Sequence, residues 1–312
     1  MEKIICVVGP TASGKTGLSI RLAQALGGEV LSCDSMQIYQ GMDIGTAKVT
    51  PAEMQGVRHH MLDLIQPSED YSVSRFVTEA EPILQDILRR GKYAILTGGT
   101  GLYIDSLVAG RTFAPYPATG KRQELEALAA REGIGAVIAM LERFDPESAQ
   151  RLHPSDQKRI IRAAEVYLET GQTITAHNAR TRALPPRHEA LWLGLDFENR
   201  QDLYARIDQR AAQMMVQGLL DEVRRLLAQG ISPQATAMQA IGYKECLAAL
   251  DGAMTEAEAL AQICQASRRY AKRQLTWFRR NPAVHWLLQP AVPDAEKTFS
   301  QALQIVSAFD TP

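Results

Sequence analysis

One octapeptide near the start of the chain has the residue types and spacing of a phosphate-binding loop. GPTASGKT fits the pattern G-x-x-x-x-G-K-[ST] and lies between a short apolar run and a helical pattern. Its glycines let successive backbone N–H groups face one anion, and the helix start adds partial positive charge. The pattern predicts a diphosphate site, usually occupied by ATP, although any diphosphate would fit. The predicted binding residues are Gly9, Pro10, Thr11, Ala12, Ser13, Gly14, Lys15 and Thr16.

Two side chains of this loop have individual roles in the prediction. The ammonium of Lys15 would contact phosphate oxygens, and the hydroxyl of Thr16 would be a ligand of Mg²⁺. A P-loop ATPase usually holds this metal with an additional ligand, an acidic residue that follows another strand of the sheet. Here the apolar run 93–96 continues into the sequence TGGTG, which contains no acid. The pattern therefore predicts a loop that binds phosphates without the acidic residue that an ATPase would use beside it.

A carboxylate follows the apolar run 30–33. Asp34 would lie at the carboxyl end of a strand, and in parallel sheets these ends line the ligand crevice. It could be a metal ligand or a general base near the phosphates. An isolated Asp is also common as a helix cap or a turn residue.

The elements that must position these loops alternate between strands and helices. Apolar runs predict strands, and 3.6-residue periodicity predicts helices between them, which indicates an α/β fold with a parallel sheet flanked by helices. The segment 113–184 has helical patterns only. We therefore predict a P-loop core formed by 1–112 and 185–312, with an all-helical insertion domain over 113–184. The predicted strands are Ile4–Val8, 30–33, 93–96, 191–195 and 284–288, and the predicted helices are 16–26, 75–90, 121–131, 134–143, 156–170, 202–229, 236–250 and 255–278.

Composition excludes several classes of protein. The 312 residues include 34 Lys and Arg and 35 Asp and Glu, so a disordered polyelectrolyte is excluded. No apolar run approaches the roughly 18 residues of a membrane span, and the amino-terminal run does not fit a signal peptide. The four cysteines lie far apart, which argues against disulfides or a zinc site and suits a cytoplasmic protein. A balanced net charge leaves nucleic-acid binding open, because basic residues can cluster locally.

Two segments concentrate basic residues. Residues 268–280 hold six of them and no acid, and on a helix Lys272 and Arg273 would share a stripe with further basic residues. A second group, Lys158, Arg159 and Arg162, lies in the predicted insertion. Such stripes are often simply solvated, but the lack of acids in 268–280 favours contact with nucleic-acid phosphates.

Two arginines of one predicted helix have a spacing that places both side chains on the same face. Arg206 and Arg210 lie four residues apart, so both would be on one face. Planar guanidinium groups suit phosphate oxygens. Pairing with neighbouring acids on a solvated helix would explain them equally well.

Several motifs, read together, resemble the tRNA dimethylallyltransferases, also called tRNA isopentenyltransferases. They follow the family's order over most of the chain, and the second is far longer than a chance match. Eukaryotic relatives can carry a carboxyl-terminal zinc finger, which the cysteine spacing here excludes, so the resemblance is to the bacterial form. The motifs are GPTASGKT (9–16), DSMQIYQGMDIGTAK (34–48), HHMLD (59–63), YSVSRF (71–76), GGTGLYI (98–104), IGYKE (241–245) and RRYAKRQLTWFRR (268–280).

The resemblance implies a reaction. A dimethylallyl group would pass from dimethylallyl diphosphate to N6 of the adenosine 3′-adjacent to the anticodon, position 37, with release of diphosphate. It implies Asp34 as general base, Thr100 near the diphosphate or the reaction centre, and Arg210 as the better candidate for stabilising diphosphate charge. It also implies Mg²⁺ as cofactor and a monomeric enzyme. The residues that it implies for tRNA binding are Asp34, Ser35, Met36, Gln37, Thr100, Arg122, Gln157, Lys158, Arg159, Ile160, Ile161, Arg162, Gly242, Tyr243, Lys244, Lys272 and Arg273.

Two other functions stay open from the residues alone. A P-loop kinase of a nucleotide or small metabolite would explain the phosphate loop but not the motif at 34–48. A non-catalytic RNA-binding protein with a structural anion would leave Asp34 without a role. Several positions also have purely structural readings: the GGTG segment as a tight turn, and Gly242-Tyr-Lys as a connection between helices.

Overall fold

The structure is a computed structural model that describes residues 2–111, 113, 119–183 and 185–310. The chain divides into two compact units, one formed by 1–110 with 187–312 and one formed by 111–186. The predicted domain boundaries at residues 112 and 184 lie outside the described residues. Within the described residues, no helix is long and apolar enough to cross a membrane.

The first unit is built on a parallel sheet with the strand order β3-β2-β4-β1-β5-β6. Strands β1 and β5, which pair with each other, are buried along their whole length, as expected of a parallel sheet covered by helices on both faces. This confirms the predicted α/β fold. The strands are β1 (Ile4–Val8), β2 (Glu29–Ser32), β3 (His59–His60), β4 (Ala94–Thr97), β5 (Leu191–Phe197) and β6 (Val284–Gln289).

Strand register places three loops at one edge of the sheet. Thr97 of β4 pairs with Val7 of β1 and with Ser32 of β2. The loops that follow these three strands therefore start at the same level, and they carry GPTASGKT, Asp34 and GGTG.

The helices surround the sheet and form the insertion. Those before the insertion are α1 (Lys15–Leu26), α2 (Pro51–Met54), α3 (Val73–Arg89) and α4 (Gly101–Val108). Those of the insertion are α5 (Lys121–Glu132), α6 (Ile134–Glu142), α7 (Pro146–Arg151), α8 (Gln157–Thr170) and α9 (Ile174–Ala183). Those after it are α10 (Arg200–Val216), α11 (Leu219–Ala228), α12 (Tyr243–Leu250), α13 (Glu256–Phe278) and α14 (Ala295–Asp310).

Two predicted helices are interrupted at glycines. The predicted helix 202–229 is two helices, because Gly218 has a φ of +98° and starts a new one. The predicted helix 236–250 is a short 3₁₀ turn, Ala237–Gln239, followed by α12, and Gly242 between them also has a φ of +98°. Glycine adopts this backbone conformation at little steric cost, so both positions act as helix boundaries.

The 111–186 unit has its own apolar core. Leu125, Val137 and Leu141 pack with Ile160 and Ala164 from α8. Asp145 caps α7 by accepting a hydrogen bond from the backbone N–H of Ser148. The described residues of this unit contain helices and no strand, as the sequence predicts.

Candidate active site at the carboxyl edge of the sheet

Two glycines at the sheet edge lie where the neighbouring backbone leaves no room for a side chain. A Cβ atom on Gly9 would lie 2.5 Å from the carbonyl oxygen of Leu195. A Cβ atom on Gly98 would lie 2.3 Å from the carbonyl oxygen of Cys33. Real Cβ atoms do not approach this closely. Glycine is therefore required at position 9 for the phosphate loop to pack against β5, and at position 98 for the GGTG loop to meet the residue before Asp34.

Side chains from three other elements fix the backbone of the phosphate loop. Gln274 of α13 accepts a hydrogen bond from the N–H of Thr11 at 2.8 Å. Arg206 of α10 donates to the carbonyl of Ala12 at 3.2 Å, and Gln289 of β6 donates to the carbonyl of Ser13 at 2.9 Å. The loop is therefore held in one conformation by contacts outside itself. The N–H of Thr11 faces the glutamine, so the free polar group of this residue is its hydroxyl.

A cavity of about 360 Å³ opens beside this loop and brings together two of the three predicted catalytic residues, Asp34 and Arg210; the third, Thr100, is not among its lining residues. Lys15, Asp34 and Arg210 all line it. Lys15 and Arg210 also line a second cavity of about 590 Å³, whereas Asp34 lines only the first.

The electrostatics of the cavity couple these three groups. Burial, followed by the nearby charge of Arg210, lowers the pKa of Lys15 to about 7, and Asp34 opposes this shift. Burial also lowers the pKa of Arg210, again opposed by Asp34. Lys15 and Arg210 therefore share the pocket with one lining carboxylate, and Arg273 also lines it, an arrangement that favours binding of a further anion.

The two arginines of α10 have different surroundings. Arg206 donates to the Ala12 carbonyl, and its guanidinium lies 5.7 Å from the centre of the Phe197 ring. Arg210 makes no hydrogen bond or ion pair to another described residue and points into the cavity with Lys15. Arg210 therefore has donors available for a diphosphate, whereas Arg206 is engaged in supporting the loop.

Asp34 and Thr100 lie on neighbouring loops that are bonded to each other. Thr100 Oγ1 accepts a hydrogen bond from the N–H of Ser35 at 3.1 Å. One oxygen of Asp34, Oδ1, accepts from the N–H of Met36 at 2.8 Å, and the side chain is half-buried in the cavity wall. This bond fixes the carboxylate and leaves its second oxygen, Oδ2, for a substrate.

The residues after Asp34 divide into two kinds. Ser35 and Met36 line the cavity and are half-buried. Gln37 also reaches the cavity wall, but its amide accepts from Ser32 at 2.9 Å and donates to the carbonyls of Thr46 and Ala47 at 3.3 Å. Gln37 thus has a clear structural task, which is to hold the 43–47 loop against β2.

The metal prediction fits a site completed by the substrate. Among the described residues there is no cluster of three or more His, Cys, Asp or Glu that could hold an ion. The hydroxyl of Thr16 is exposed at the cavity and has no hydrogen bond to a described residue. Mg²⁺ commonly keeps several waters and binds phosphate oxygens with few protein ligands, so Thr16 suits such an ion.

The basic stripe of α13 is exposed, as its periodicity predicts. Lys272 and Arg273 are both exposed and form no ion pair with a described acid. The guanidinium of Arg273 lies 5.5 Å from the centre of the Tyr270 ring and lines the cavity. Arg268, in contrast, pairs with Asp208 at 2.7 Å and supports the contact between α13 and α10.

The predicted tRNA-binding residues of the insertion are placed differently from one another. Gln157, Lys158 and Arg159 are exposed. Arg162 donates to Glu165 at 2.7 Å, and the same carboxylate lies 3.5 Å from Arg122. The side chains of Ile160 and Ile161 are buried in the core of this unit, so only their backbone is open to a ligand.

The Gly242-Tyr-Lys segment is mainly a structural junction. Tyr243 is fully buried and donates to Glu222. Gly242 lines the cavity, and the side chain of Lys244 is exposed. Any contact of this segment with a ligand would therefore involve Gly242 or Lys244.

Sequence reasoning missed two residues that organise the site. The spacing of Gln274 assigns it to a core face of α13, yet it bonds both the phosphate loop and the GGTG loop. Glu222 is 1% exposed and accepts hydrogen bonds from the backbone N–H groups of Asp43, Ile44 and Gly45. A polar residue within an apolar helix face was the available signal in both cases.

Comparison with known proteins agrees with this arrangement. The family described as IPP transferase matches residues 37–281, and the family described as isopentenyl transferase matches residues 2–70. The tRNA dimethylallyltransferase of Carboxydothermus hydrogenoformans is 46% identical over 91% of each chain. That of Geobacter sulfurreducens is 44% identical over 96% of each chain.

Solved structures give the same result. The crystal structure of the full-length tRNA isopentenylpyrophosphate transferase from Bacillus halodurans matches with a TM-score of 0.74 and 41% identity, covering 99% of this chain and 96% of that one. A eukaryotic dimethylallyltransferase captured acting on tRNA matches with a TM-score of 0.83 and 28% identity. The match covers 99% of this chain and 80% of that one. With the phosphate loop, the carboxylate and the paired cations in one cavity, these matches show that the chain belongs to the tRNA dimethylallyltransferase family.

Proposed function

We propose that this protein transfers a dimethylallyl group from dimethylallyl diphosphate to N6 of adenosine 37 in tRNA, giving N6-(dimethylallyl)adenosine and diphosphate. The observation that carries the proposal is the position of Asp34 in one cavity with Lys15 and Arg210. The cations suit a diphosphate leaving group, and the carboxylate suits an amine that must lose a proton.

The donor half of the reaction needs charge stabilisation where the diphosphate leaves. As the C1–O bond breaks, its electron pair goes to the diphosphate, and negative charge develops on the bridging oxygen. Backbone N–H groups of the phosphate loop, Lys15 and Arg210 would bind this charge, with Thr100 beside the reacting carbon. Donors that are already oriented stabilise developing charge without further reorganisation.

The acceptor half needs a base. The N6 lone pair of adenine is conjugated with the ring, so a proton must leave N6 as the new N–C bond forms. A carboxylate within hydrogen-bond reach can accept it. Asp34 Oδ2 would take this proton, while the Oδ1 bond to Met36 keeps the carboxylate oriented. Ser35 and Met36 would line the adenine site.

The metal would bind together with the prenyl donor, dimethylallyl diphosphate. Bound Mg²⁺ neutralises charge on the diphosphate, with Thr16 and substrate oxygens as ligands. This chain would contribute only the Thr16 hydroxyl, so metal affinity would depend on the donor being present.

The tRNA would be bound by exposed basic residues in both units. In the first unit, Lys272 and Arg273 would contact phosphates, and Lys244 and Gly242 would lie near the anticodon loop. An adenosine stacked in that loop has to be extruded before N6 can reach a pocket. In the helical unit, the proposed contacts are Arg122, Gln157, Lys158, Arg159, Arg162 and the backbone at Ile160 and Ile161. We further propose a monomer that acts in the cytoplasm.

The direct test uses purified protein, dimethylallyl diphosphate, Mg²⁺ and an unmodified anticodon stem-loop. Nucleoside mass spectrometry should detect dimethylallyladenosine, and replacement of A37 by G should abolish it. EDTA should stop the reaction with the unmodified stem-loop that contains A37. Phosphate transfer from ATP to a nucleotide, without prenylation, would instead support a P-loop kinase.

A further inference from the structure

One face of α13 contacts the loop that carries Thr100. Tyr270, Gln274 and Trp277 recur at helical spacing along this face. The hydroxyl of Tyr270 lies beside this loop, 3.8 Å from the position of a Cβ atom on Gly99. Trp277 Nε1 donates to Asp105 Oδ2 at 2.9 Å. Of the three, Gln274 is the one that also reaches the phosphate loop.

The Gln274 amide joins the two loops through backbone atoms. Its Oε1 accepts from the N–H of Thr11 at 2.8 Å, and its Nε2 donates to the carbonyl of Gly99 at 3.0 Å. One partner can only donate and the other can only accept, so the orientation of the amide is fixed. The side chain is 4% exposed, and both bonds are therefore shielded from competing water.

The backbone around Gly99 is shaped to this amide. A Cβ atom at Gly99 would lie 2.0 Å from Gln274 Nε2, and the next side chain, Tyr270, would be 3.8 Å away. Gly99 precedes Thr100, whose hydroxyl accepts from Ser35. A continuous path of bonds thus runs from the phosphate loop through Gln274 to the loop that carries Asp34.

We propose that Gln274 is a positioning residue that sets the distance between the diphosphate site and the acceptor site. This inference rests on the proposed prenyl transfer. A nucleophile and a leaving group react efficiently only when their separation is fixed, and a misplacement of about 1 Å can cost about 10²-fold in rate. Loss of the amide should therefore lower kcat more than it raises either KM.

The double-mutant cycle Gln274→Ala and Gly99→Ala tests this role, with Gln265→Ala on the exposed side of α13 as control. Gln274→Ala should lower kcat about 10²-fold. Gly99→Ala should cause a similar loss, because its methyl group would displace the amide. In the double variant the methyl group meets no glutamine, so its kcat should equal that of Gln274→Ala. Gln265→Ala should behave as wild type.

Two further readouts separate positioning from simple destabilisation. Gln274→Glu keeps the acceptor for Thr11 and the side-chain shape, but its carboxyl group can donate to Gly99 only while it is protonated. Its kcat should therefore fall relative to wild type as rising pH ionises the group. Amide exchange at Thr11 should become faster in Gln274→Ala and stay unchanged in Gln274→Glu.

The outcomes are distinguishable from failure of the proposed function. If wild type and Gln265→Ala do not prenylate tRNA, the proposed function is wrong, and amide exchange still decides whether the tether exists. If they do, the inference is overturned by a Gln274→Ala kcat within about threefold of wild type, or by losses that multiply in the double variant.

Discussion

Replacing Glu222 by glutamine should destabilise the protein and loosen the cavity wall. The carboxylate is 1% exposed and accepts four hydrogen bonds. Oε2 accepts from the N–H groups of Asp43 and Ile44 at 3.0 and 2.9 Å. Oε1 accepts from the N–H of Gly45 at 3.2 Å and from the hydroxyl of Tyr243. In the Glu222→Gln variant one of these oxygens becomes an NH₂ group that cannot accept.

The magnitude follows from the number of donors left unpaired. With the NH₂ group in place of Oε1, the Tyr243 hydroxyl can turn and accept from it, so only the N–H of Gly45 loses its acceptor. One unpaired donor costs about 1–3 kcal/mol, so the free energy of unfolding should fall by about that amount. Tyr243→Phe removes one bond to the same carboxylate and should cost about 1.5–3 kcal/mol. The matched control is Asp221→Asn, one residue earlier on α11, whose side chain is 76% exposed. This change should stay within about 0.5 kcal/mol.

Urea unfolding followed by circular dichroism measures these differences. Because Gly45 lines the cavity, kcat/KM for tRNA prenylation should also fall in Glu222→Gln, even at temperatures where the variant is folded. A Glu222→Gln variant that is as stable as the Asp221→Asn control, within about 0.5 kcal/mol of wild type, would show that these hydrogen bonds do not stabilise the fold.

Three further predictions concern charge. Burial lowers the pKa of Lys15 to about 7, and a bound diphosphate favours the ammonium form, so the KM for dimethylallyl diphosphate should rise above pH 7. Lys15→Arg should flatten this pH dependence, and an unchanged profile would contradict the assignment. Neutralising Lys272 and Arg273 together should reduce the salt slope of tRNA filter binding by about 0.7–0.9 per phosphate contact without changing donor affinity; an unaltered slope would remove both from the RNA interface. Hydrogen bonds from Arg90 hold the pKa of Glu29 well below 4.5, so Glu29 stabilises the fold above that pH and the stabilisation is lost as pH falls. The stability difference between wild type and Glu29→Gln should therefore shrink in acid, and a difference that grows would contradict it.

The sheet and its functional edge were predictable from local sequence. Ile4–Val8 is a buried apolar run that ends at a phosphate-loop pattern, and the run before Asp34 ends in the same way. Parallel strands bring their carboxyl ends to one edge, so the meeting of Lys15 and Asp34 follows from the fold class. The strand order does not follow, because pairing is decided by tertiary contacts.

The direction in which individual side chains point could not be predicted from the sequence. Spacing placed Arg206 and Arg210 on one face, but only the structure shows that Arg206 is bonded to Ala12 while Arg210 points into the cavity. Gln274 and Glu222 resemble ordinary polar interruptions of apolar helix faces. Their backbone partners lie more than 170 residues away along the chain, and no local pattern encodes those contacts.

The central claim is that Asp34 removes the N6 proton, and that the site binds the diphosphate independently of Asp34. Single-turnover prenylation of a saturating tRNA by Asp34→Asn, followed by rapid quench, tests it most directly. The rate should fall by about 10²–10⁴-fold, while binding of dimethylallyl diphosphate to Lys15, Arg210 and the phosphate loop stays near that of wild type. An Asp34→Asn enzyme that prenylates tRNA at close to the wild-type rate would contradict the account.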